Sequence, residues 1–287
     1  LKPFGRSSQT PRACFACEGA CAGTGTMTAE AAAAAWEGTP ANTEQVVNSP
    51  RVSVPVEYNA RDLMLYALGI GSLDPRFVYE HDPLFAAFPT YPICLTFKGD
   101  SHDALPFPSP AMRSFPFPIF KGFKVGLDAE KIIEKVAELP PRGASLRLVG
   151  GVVGVHQKGS GALVESAYDL CDDAGKVYYK IISGTFQVGA HGFKDAGVTH
   201  SRNIPPPAGP PTHEVEVPTS LHAASLFRLS GDYNPLHVDP RVAEVGGFDT
   251  PILHGLCTLG NTTRAVLDAV AGGDQQRYRS VRMHFKS

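Results

Sequence analysis

The sequence lacks any hydrophobic run that approaches the roughly 20 residues needed to cross a bilayer, so no membrane span is expected. It also lacks an excess of either charge, because its 287 residues carry 26 basic and 28 acidic side chains, for a formal net charge of -2. A near-neutral chain gives no reason to expect nucleic acid or an anionic membrane surface as a partner. With 43% hydrophobic residues, the composition predicts a globular protein with a substantial core.

The sequence also lacks a set of residues at the spacing of a structural metal site. Three of the six cysteines lie close together, at Cys14, Cys17 and Cys21, but no fourth ligand stands near them in the sequence. Because structural zinc sites need four ligands at characteristic spacing, we expect no metal. The scattered cysteines are interpreted as small core residues; they are Cys94, Cys171 and Cys257.

Composition divides the chain into segments. Residues 1–26 have no periodic apolar pattern, and the stretch that follows is alanine-rich and then polar, so residues 1–50 are predicted to be a disordered or non-native extension. Residues 203–213 are rich in proline, which predicts a semi-rigid linker. This linker separates a predicted N-terminal domain over 51–202 from a C-terminal domain over 214–287.

Three strands are predicted in the N-terminal domain by apolar segments that alternate with turn residues. They are Ser145 to His156, Ala162 to Cys171 and Lys176 to Val188, and they predict an antiparallel meander. Earlier in this domain, a helix is expected after Asn59, an N-cap residue that is followed by Asp62. Prolines predict that residues 83–120 are largely irregular, and residues 128–138 are interpreted as a brief helix.

The C-terminal domain has helix signals on both sides of a polar loop. Residues 215–217 are expected to start a strand, and Thr219 is expected to cap a helix. Beyond the loop, Asp239 and Pro240 are typical of a helix start, and apolar spacing predicts a helix from Gly255 to about Ala271. A final strand is predicted over residues 279–285.

The loop itself places an acid and an imidazole close together. Gly231 permits a tight bend, and Pro235 disfavours helical backbone at the residue before it, so Asp232 and His237 do not lie on one regular helix. Solvated loop polarity is the simpler reading of a lone Asp and a lone His. The combination with Gly255 at a helix start favours a different interpretation, in which the acid and imidazole activate water and the Gly255 amide receives charge from a carbonyl oxygen.

The string Ser-Gly-Asp-Tyr-Asn-Pro-Leu-His over residues 230–237, followed by Pro-Ile-Leu-His-Gly over 251–255, closely resembles the hydratase 2 motif of the MaoC-like, hot-dog-fold proteins. The resemblance runs from about Val54 to the end of the chain and includes residues 61–71 and 76–80. It points to the (R)-specific 2-enoyl-CoA hydratases found in peroxisomal multifunctional enzymes.

This resemblance implies an α+β fold with two tandem hot-dog copies, each an antiparallel sheet wrapped around a helix, of which the C-terminal copy is incomplete in this chain. The N-terminal copy is expected to accommodate the acyl tail. The implied activity is reversible hydration of trans-2-enoyl-CoA to (3R)-3-hydroxyacyl-CoA in fatty acid β-oxidation. The implied setting is a peroxisomal homodimer that takes acyl-CoA as substrate and needs no cofactor.

The resemblance also implies roles for residues outside the dyad of Asp232 and His237. Asn234 either bridges the dyad or holds the turn, and Glu80 either supports the dyad or is a solvated surface residue. Lys158 is a candidate for a CoA phosphate, although lysine in a hairpin turn is usually only exposed. Phe285 either lines the acyl-thioester pocket or fills the core.

Two departures from the family pattern concern binding of CoA. Near residues 124–128 the family usually has a His-Gly pair, which is absent here, and the spacing differs by one residue. His284 stands where a basic Arg is common in the family. Alternative functions are a dehydratase or thioesterase on the same fold, and a non-catalytic acyl-CoA-binding protein.

Overall fold

The computed structural model describes residues 42–205 and 207–285, and most of their strands lie in one antiparallel sheet. The strands are β1 (Val52–Asn59), β2 (Val125–Lys135), β3 (Gly143–Lys158), β4 (Gly161–Cys171), β5 (Val177–Val188), β6 (Ala196–Gly197) and β7 (Ser280–His284). Their order across the sheet is β1-β3-β4-β5-β2-β7, with β6 paired to β3. The three strands predicted as a meander are thus confirmed as β3, β4 and β5.

Short helices and one long helix flank the sheet. They are α1 (Thr43–Val47), α2 (Ala60–Gly69), α3 (Pro75–Val78), α4 (Leu95–Lys98), α5 (Pro110–Ser114), α6 (Ala223–Phe227), α7 (Pro240–Val245) and α8 (Gly255–Ala271). Single 3-10 turns span Tyr91–Cys94, Arg228–Ser230, Pro235–His237 and Gln275–Arg277. None of the described helices combines the length and the apolar character that a bilayer span requires.

The predicted helix over residues 128–138 is wrong, because most of this segment belongs to β2. The strand pairs with β5 on one side and β7 on the other, so pairing on both edges overrides the local helix signal. Ile133 is completely buried and faces the core. The residues that looked helical therefore follow the two-residue period of a strand.

Helix starts were predicted with more success. Asn59 caps α2 through a reciprocal pair of bonds, in which its side chain accepts the Asp62 N–H and the Asp62 carboxylate accepts the Asn59 N–H. Asp239 caps α7 at Pro240 as expected. Thr219 does not cap α6, whose N-cap is His222, and residues 215–217 form no strand.

The core places α2 and α8 against one face of the sheet. A Cβ on Gly260 of α8 would lie 2.4 Å from Ile70 Cγ2, so the absence of a side chain there allows α8 to approach the end of α2. The larger cluster of buried side chains includes Tyr66, Ile70, Ile133, Phe227, Leu256 and Leu259. A smaller cluster near the other end of the sheet contains Val46, Phe120, Val152, Val155, Ala162, Val164 and Ala190.

The predicted extension needs a correction where the structure describes it. Residues 43–47 form α1, capped by Asn42, and Val46 is buried in the smaller cluster because it packs against β3 and β4 side chains. The rest of that extension, residues 1–41, lies outside the described residues. The division into residues 51–202, 203–213 and 214–287 stays a prediction, although β7 of the last segment pairs with β2 of the first.

Candidate active site

The loop after α6 is held against the N-terminal half of the chain. The 3-10 turn Arg228–Ser230 ends at Gly231, whose φ of 131° is in the region that favours glycine. A Cβ on Gly231 would lie 2.8 Å from the Lys98 Cβ, so the loop backbone contacts the end of α4 directly. This contact fixes the position of the next residue, Asp232.

Asp232 is buried with little compensation for its charge. It is 9% exposed, and one carboxylate oxygen accepts the backbone N–H of Asn234 at 3.2 Å. Burial raises the pKa of Asp232 to about 6, although the Asn234 hydrogen bond acts in the opposite direction. The carboxyl group therefore changes its charge close to neutral pH, as a group that handles protons needs to do.

His237 faces the same place with a defined tautomer. Pro235 and Leu236 precede it in a short 3-10 turn, and the Asn234 side chain caps this turn by accepting the Leu236 N–H at 3.1 Å. His237 Nδ1 lies 2.8 Å from the Ile252 carbonyl oxygen, so Nδ1 carries the proton and Nε2 has a free lone pair. Burial lowers the pKa of His237, so the neutral ring is favoured.

His254 supports both members of the dyad. Its ring stacks on that of His237, with centroids 3.7 Å apart, and its Nε2 lies 3.1 Å from the Asp232 carbonyl oxygen. Burial, followed by the nearby His237, lowers the pKa of His254 to about 3, so this ring is neutral at physiological pH. These contacts hold the His254 ring against both dyad residues.

Among the described residues, Asp232, His237 and His254 are also a possible metal-ligand group, with ligating atoms within 4.8 Å of one another. The two rings are stacked, with centroids 3.7 Å and planes only 27° apart, so their in-plane lone pairs lie in two separate, nearly parallel planes. Such lone pairs do not converge on one ion at about 2.0–2.1 Å. The arrangement suits a bound water better than a metal.

Gly255 begins α8, a helix of 17 residues, next to this dyad. No acceptor within the described part of the chain receives the Gly255 N–H, as is usual for the first residue of a helix. Phe285 packs on it, since a Cβ on Gly255 would lie 3.1 Å from the Phe285 ring. The amide that was predicted to stabilise an oxyanion is therefore beside an apolar wall.

For two further predicted site residues, Glu80 and Lys158, the described part of the chain shows no hydrogen bond or ion pair with the dyad. Glu80 follows α3, and its ion pair among the described residues is with the adjacent His81, at 3.4 Å. Lys158 is exposed at the end of β3, where it pairs with Gly161 of β4. Gly161 pairs in turn with the last residue of β5, which pairs with the first residue of β2. At about 4.8 Å between strands and 3.3 Å per residue, Lys158 lies roughly 17 Å from Asp128 on β2.

The part of β2 around Asp128 holds two charged residues that the sequence did not single out. The charge of Asp128 raises the pKa of both Asp232 and His237, and Lys131 lowers that of Asp232. The sequence did contain a signal for them, namely the one-residue difference in spacing from the family pattern near residues 124–128. In the structure, the pairing of β2 with β5 shifts by one residue between Asp128 and Glu130, which is a β-bulge.

Comparison with known families matches most of the described chain. The MFE-2 hydratase 2 N-terminal domain matches residues 56–189, and the MaoC-like domain matches residues 202–287. The second match contains the loop, the dyad and all of α8. The predicted fold class, α+β with an antiparallel sheet in the hot-dog arrangement, is confirmed.

Individual relatives agree with these matches. The chain is 39% identical to the peroxisomal multifunctional enzyme type 2 of Drosophila melanogaster over 80% of its own length, but it spans only 39% of that protein. It is 33% identical to a probable enoyl-CoA hydratase 2 of Dictyostelium discoideum, with 80% and 78% of the two chains covered. A solved MaoC-like dehydratase from Phytophthora capsici is 40% identical, with a TM-score of 0.80 over 86% of this chain and 84% of that one.

Proposed function

The chain belongs to the enoyl-CoA hydratase 2 family of MaoC-like proteins, and we propose that it adds water reversibly to trans-2-enoyl-CoA to give (3R)-3-hydroxyacyl-CoA. The observation that carries this proposal is that Asp232 and His237 lie side by side. In the described part of the chain, the buried Asp232 carboxylate has no cation in contact, and Nε2 of the neutral His237 has no hydrogen-bond partner. Both groups are ready to accept a hydrogen bond from the same water molecule.

In the proposed reaction, this water donates one hydrogen bond to the Asp232 carboxylate and one to His237 Nε2. The water oxygen bonds to the β-carbon as the dyad takes one of its protons, and the electron pair of the double bond moves toward the thioester carbonyl. The dyad then gives a proton to the α-carbon. One water is thus added across the double bond, and the dyad returns to its starting state.

Negative charge builds on the thioester oxygen during this step. The Gly255 N–H at the start of α8 is the donor that we assign to it, because a free amide at a helix N-terminus favours negative charge. One preorganised donor of this kind contributes about 3 kcal/mol to transition-state stabilisation. The Phe285 ring packs on Gly255 and adds an apolar surface beside this helix start.

The wider setting of the reaction is proposed from the relatives. Peroxisomal names among them support a peroxisomal role in fatty acid β-oxidation. A homodimer is the assembly that we expect, with acyl-CoA as the substrate and without a cofactor. Lys158 is retained as a candidate contact for a phosphate of CoA, because it is exposed and positively charged.

The test is chiral analysis of the product formed from trans-2-decenoyl-CoA. We expect (3R)-3-hydroxydecanoyl-CoA from the wild-type protein. We also expect a loss of hydration on the order of 10²–10⁴-fold in His237→Gln, which removes the free Nε2 lone pair. The matched control is His222→Gln, an exposed histidine outside the site, which should keep wild-type turnover.

Two outcomes would contradict the proposal. Formation of the (3S) product would refute the stereochemical assignment. A folded protein that binds the thioester but never hydrates it would favour the alternative of a non-catalytic acyl-CoA-binding protein.

A further inference from the structure

The β-bulge in β2 places two charged side chains on the inner face of the sheet. Lys131 has the same facing as Ile133, two residues later, which is part of the core beneath α2 and α8. Asp128 precedes the bulge, and its side chain reaches Lys131. Ala129, the extra residue, offers its carbonyl oxygen to the Phe285 N–H at 2.9 Å. The bulge therefore also positions the residue that packs on Gly255.

The two side chains form a tight, partly buried ion pair. Lys131 is 2% exposed, and its Nζ donates to the Asp128 carboxylate at 2.6 Å and to the Ser183 hydroxyl at 2.7 Å. The Asp128 side chain is 41% exposed, so the carboxylate is the open end of the pair. A lysine this deeply buried needs such partners, since an unpaired buried charge is costly.

The bulge that carries the pair borders the start of α8, because the Ala129 carbonyl oxygen accepts the Phe285 N–H and the Phe285 ring packs on Gly255, the residue after His254. The Asp128 charge acts on His237 and on Asp232, raising the pKa of each, whereas Lys131 acts on Asp232 and lowers its pKa. The other charged groups near the dyad act differently. Arg228 lowers the pKa of Asp232 from the loop side, and Lys98 is occupied by Asp62 and two backbone carbonyls.

We propose that the Asp128–Lys131 pair is a positioning device that sets the charges of the dyad, with Asp128 stabilising the imidazolium form of His237 and Lys131 keeping Asp232 ionised. The idea rests on the proposed hydration, in which His237 takes a proton from water and becomes positively charged. A nearby carboxylate favours that charge most in the transition state, when it develops. Lys131 offsets part of the effect of the same carboxylate on the ionisation of Asp232.

Three variants separate these two effects. Asp128→Asn removes the carboxylate and should lower the pKa of His237, with a roughly three- to tenfold loss of kcat/KM. Lys131→Met leaves Asp128 without its partner and should move the acid limb of the pH–rate profile to higher pH. The double variant should return that limb toward the wild-type position, because both charges are then gone.

Glu134→Gln is the matched control. Glu134 is a carboxylate on the same strand, but its side chain lies on the opposite face from Lys131 and acts on neither dyad residue, so its pH–rate profile should match the wild type.

The measurements are pH–rate profiles of hydration and, independently of activity, the NMR titration of the His237 ring in folded wild type and Asp128→Asn. An unchanged His237 titration in folded Asp128→Asn overturns the proposal, even if Lys131→Met fails to fold. A shifted His237 titration in a protein that never hydrates enoyl-CoA supports the role proposed for the Asp128–Lys131 pair and refutes the proposed function instead.

Discussion

Asp62 and Asp232 are buried to nearly the same extent, at 8% and 9% exposure, but the molecule treats them differently. Asp62 accepts the Asn59 N–H, and its carboxylate lies 3.3 Å from the ammonium of Lys98 and 3.3 Å from His102. Among the described residues, the Asp232 carboxylate has one hydrogen bond, from the backbone N–H of Asn234. The acid in the N-terminal helix is thus compensated, and the acid in the loop is not.

The difference separates a structural acid from a reactive one. A buried carboxylate with a cation and amide donors is stable in its charged form and fixes the start of α2. A buried carboxylate without a cation in contact is held in an unfavourable state, so it binds a proton near neutral pH. The two regions meet at Lys98, which pairs with Asp62 and contacts the backbone of Gly231.

The largest expected effect comes from Asp232→Asn. Hydration should fall by about 10³-fold, because the variant loses the negative charge that holds and polarises the water from which His237 takes a proton. The same variant should be more stable than the wild type at pH 8 by up to about 3 kcal/mol, since the amide has no charge to bury. Enoyl-CoA hydration assays and urea unfolding give the two quantities.

The sign of the stability effect follows from linkage. The folded pKa of Asp232, about 6, is above its usual value of 3.8, so its favourable contribution is complete below about pH 4 and is lost as the pH rises through 6. The stability gain of the Asn variant should therefore disappear in acid. Wild-type turnover in a folded Asp232→Asn protein would contradict the dyad assignment.

The next effect is a loss of stability in Asp62→Asn, the opposite result for an acid of equal burial. The variant leaves the Lys98 ammonium buried without its carboxylate, which should lower the free energy of unfolding by about 3 kcal/mol. The folded fraction should keep near-wild-type kcat. A loss of kcat without a loss of stability would mean that the two acids do not differ in the way argued above.

The pH dependence of the wild type gives a smaller effect. Hydration requires ionised Asp232, so kcat/KM should fall about tenfold for each unit below pH 6, and should level off above it. If kcat/KM fell only near pH 4, the pKa of Asp232 would be that of a surface carboxylate, which would contradict this prediction.

The smallest expected effect concerns the contact between the two regions. Gly231→Ala adds a Cβ that would lie 2.8 Å from Lys98 at a φ of 131°, so it should cost about 1–3 kcal/mol of stability and weaken hydration. Gly247→Ala is the matched control, because Gly247 also has a positive φ but has nothing within 4 Å of an added Cβ. It should cost about 1 kcal/mol and leave hydration intact. Equal losses of stability in the two variants would show that the close approach of Gly231 to Lys98 does not matter for stability.

Local signals predicted much of the fold. The capping box at Asn59, the cap at Asp239 and the helix from Gly255 depend on neighbours a few residues away, so the sequence displays them. The strand over residues 125–135 was mistaken in part for a helix, because its structure is decided by β5 and β7, which are distant in the sequence.

The site was predictable in part for the same reason. The motif placed Asp232, His237 and Gly255 on one loop and the following helix, and the structure brings these three together with His254. The influence of Asp128 and Lys131 was not visible, because it depends on a β-bulge and on the inner face of a sheet. Whether Glu80 and Lys158 contribute stays a prediction, since neither contacts the dyad among the described residues.

The measurement that tests this account most directly is the titration of the Asp232 carboxyl group. With 13C-labelled aspartate, its resonance can be assigned as the one that disappears in Asp232→Asn and then followed from pH 3 to pH 9. A pKa of about 6 is the result that we expect from burial without a cation in contact. A pKa near 4 would contradict the account, because Asp232 would then be no different from an ordinary exposed acid.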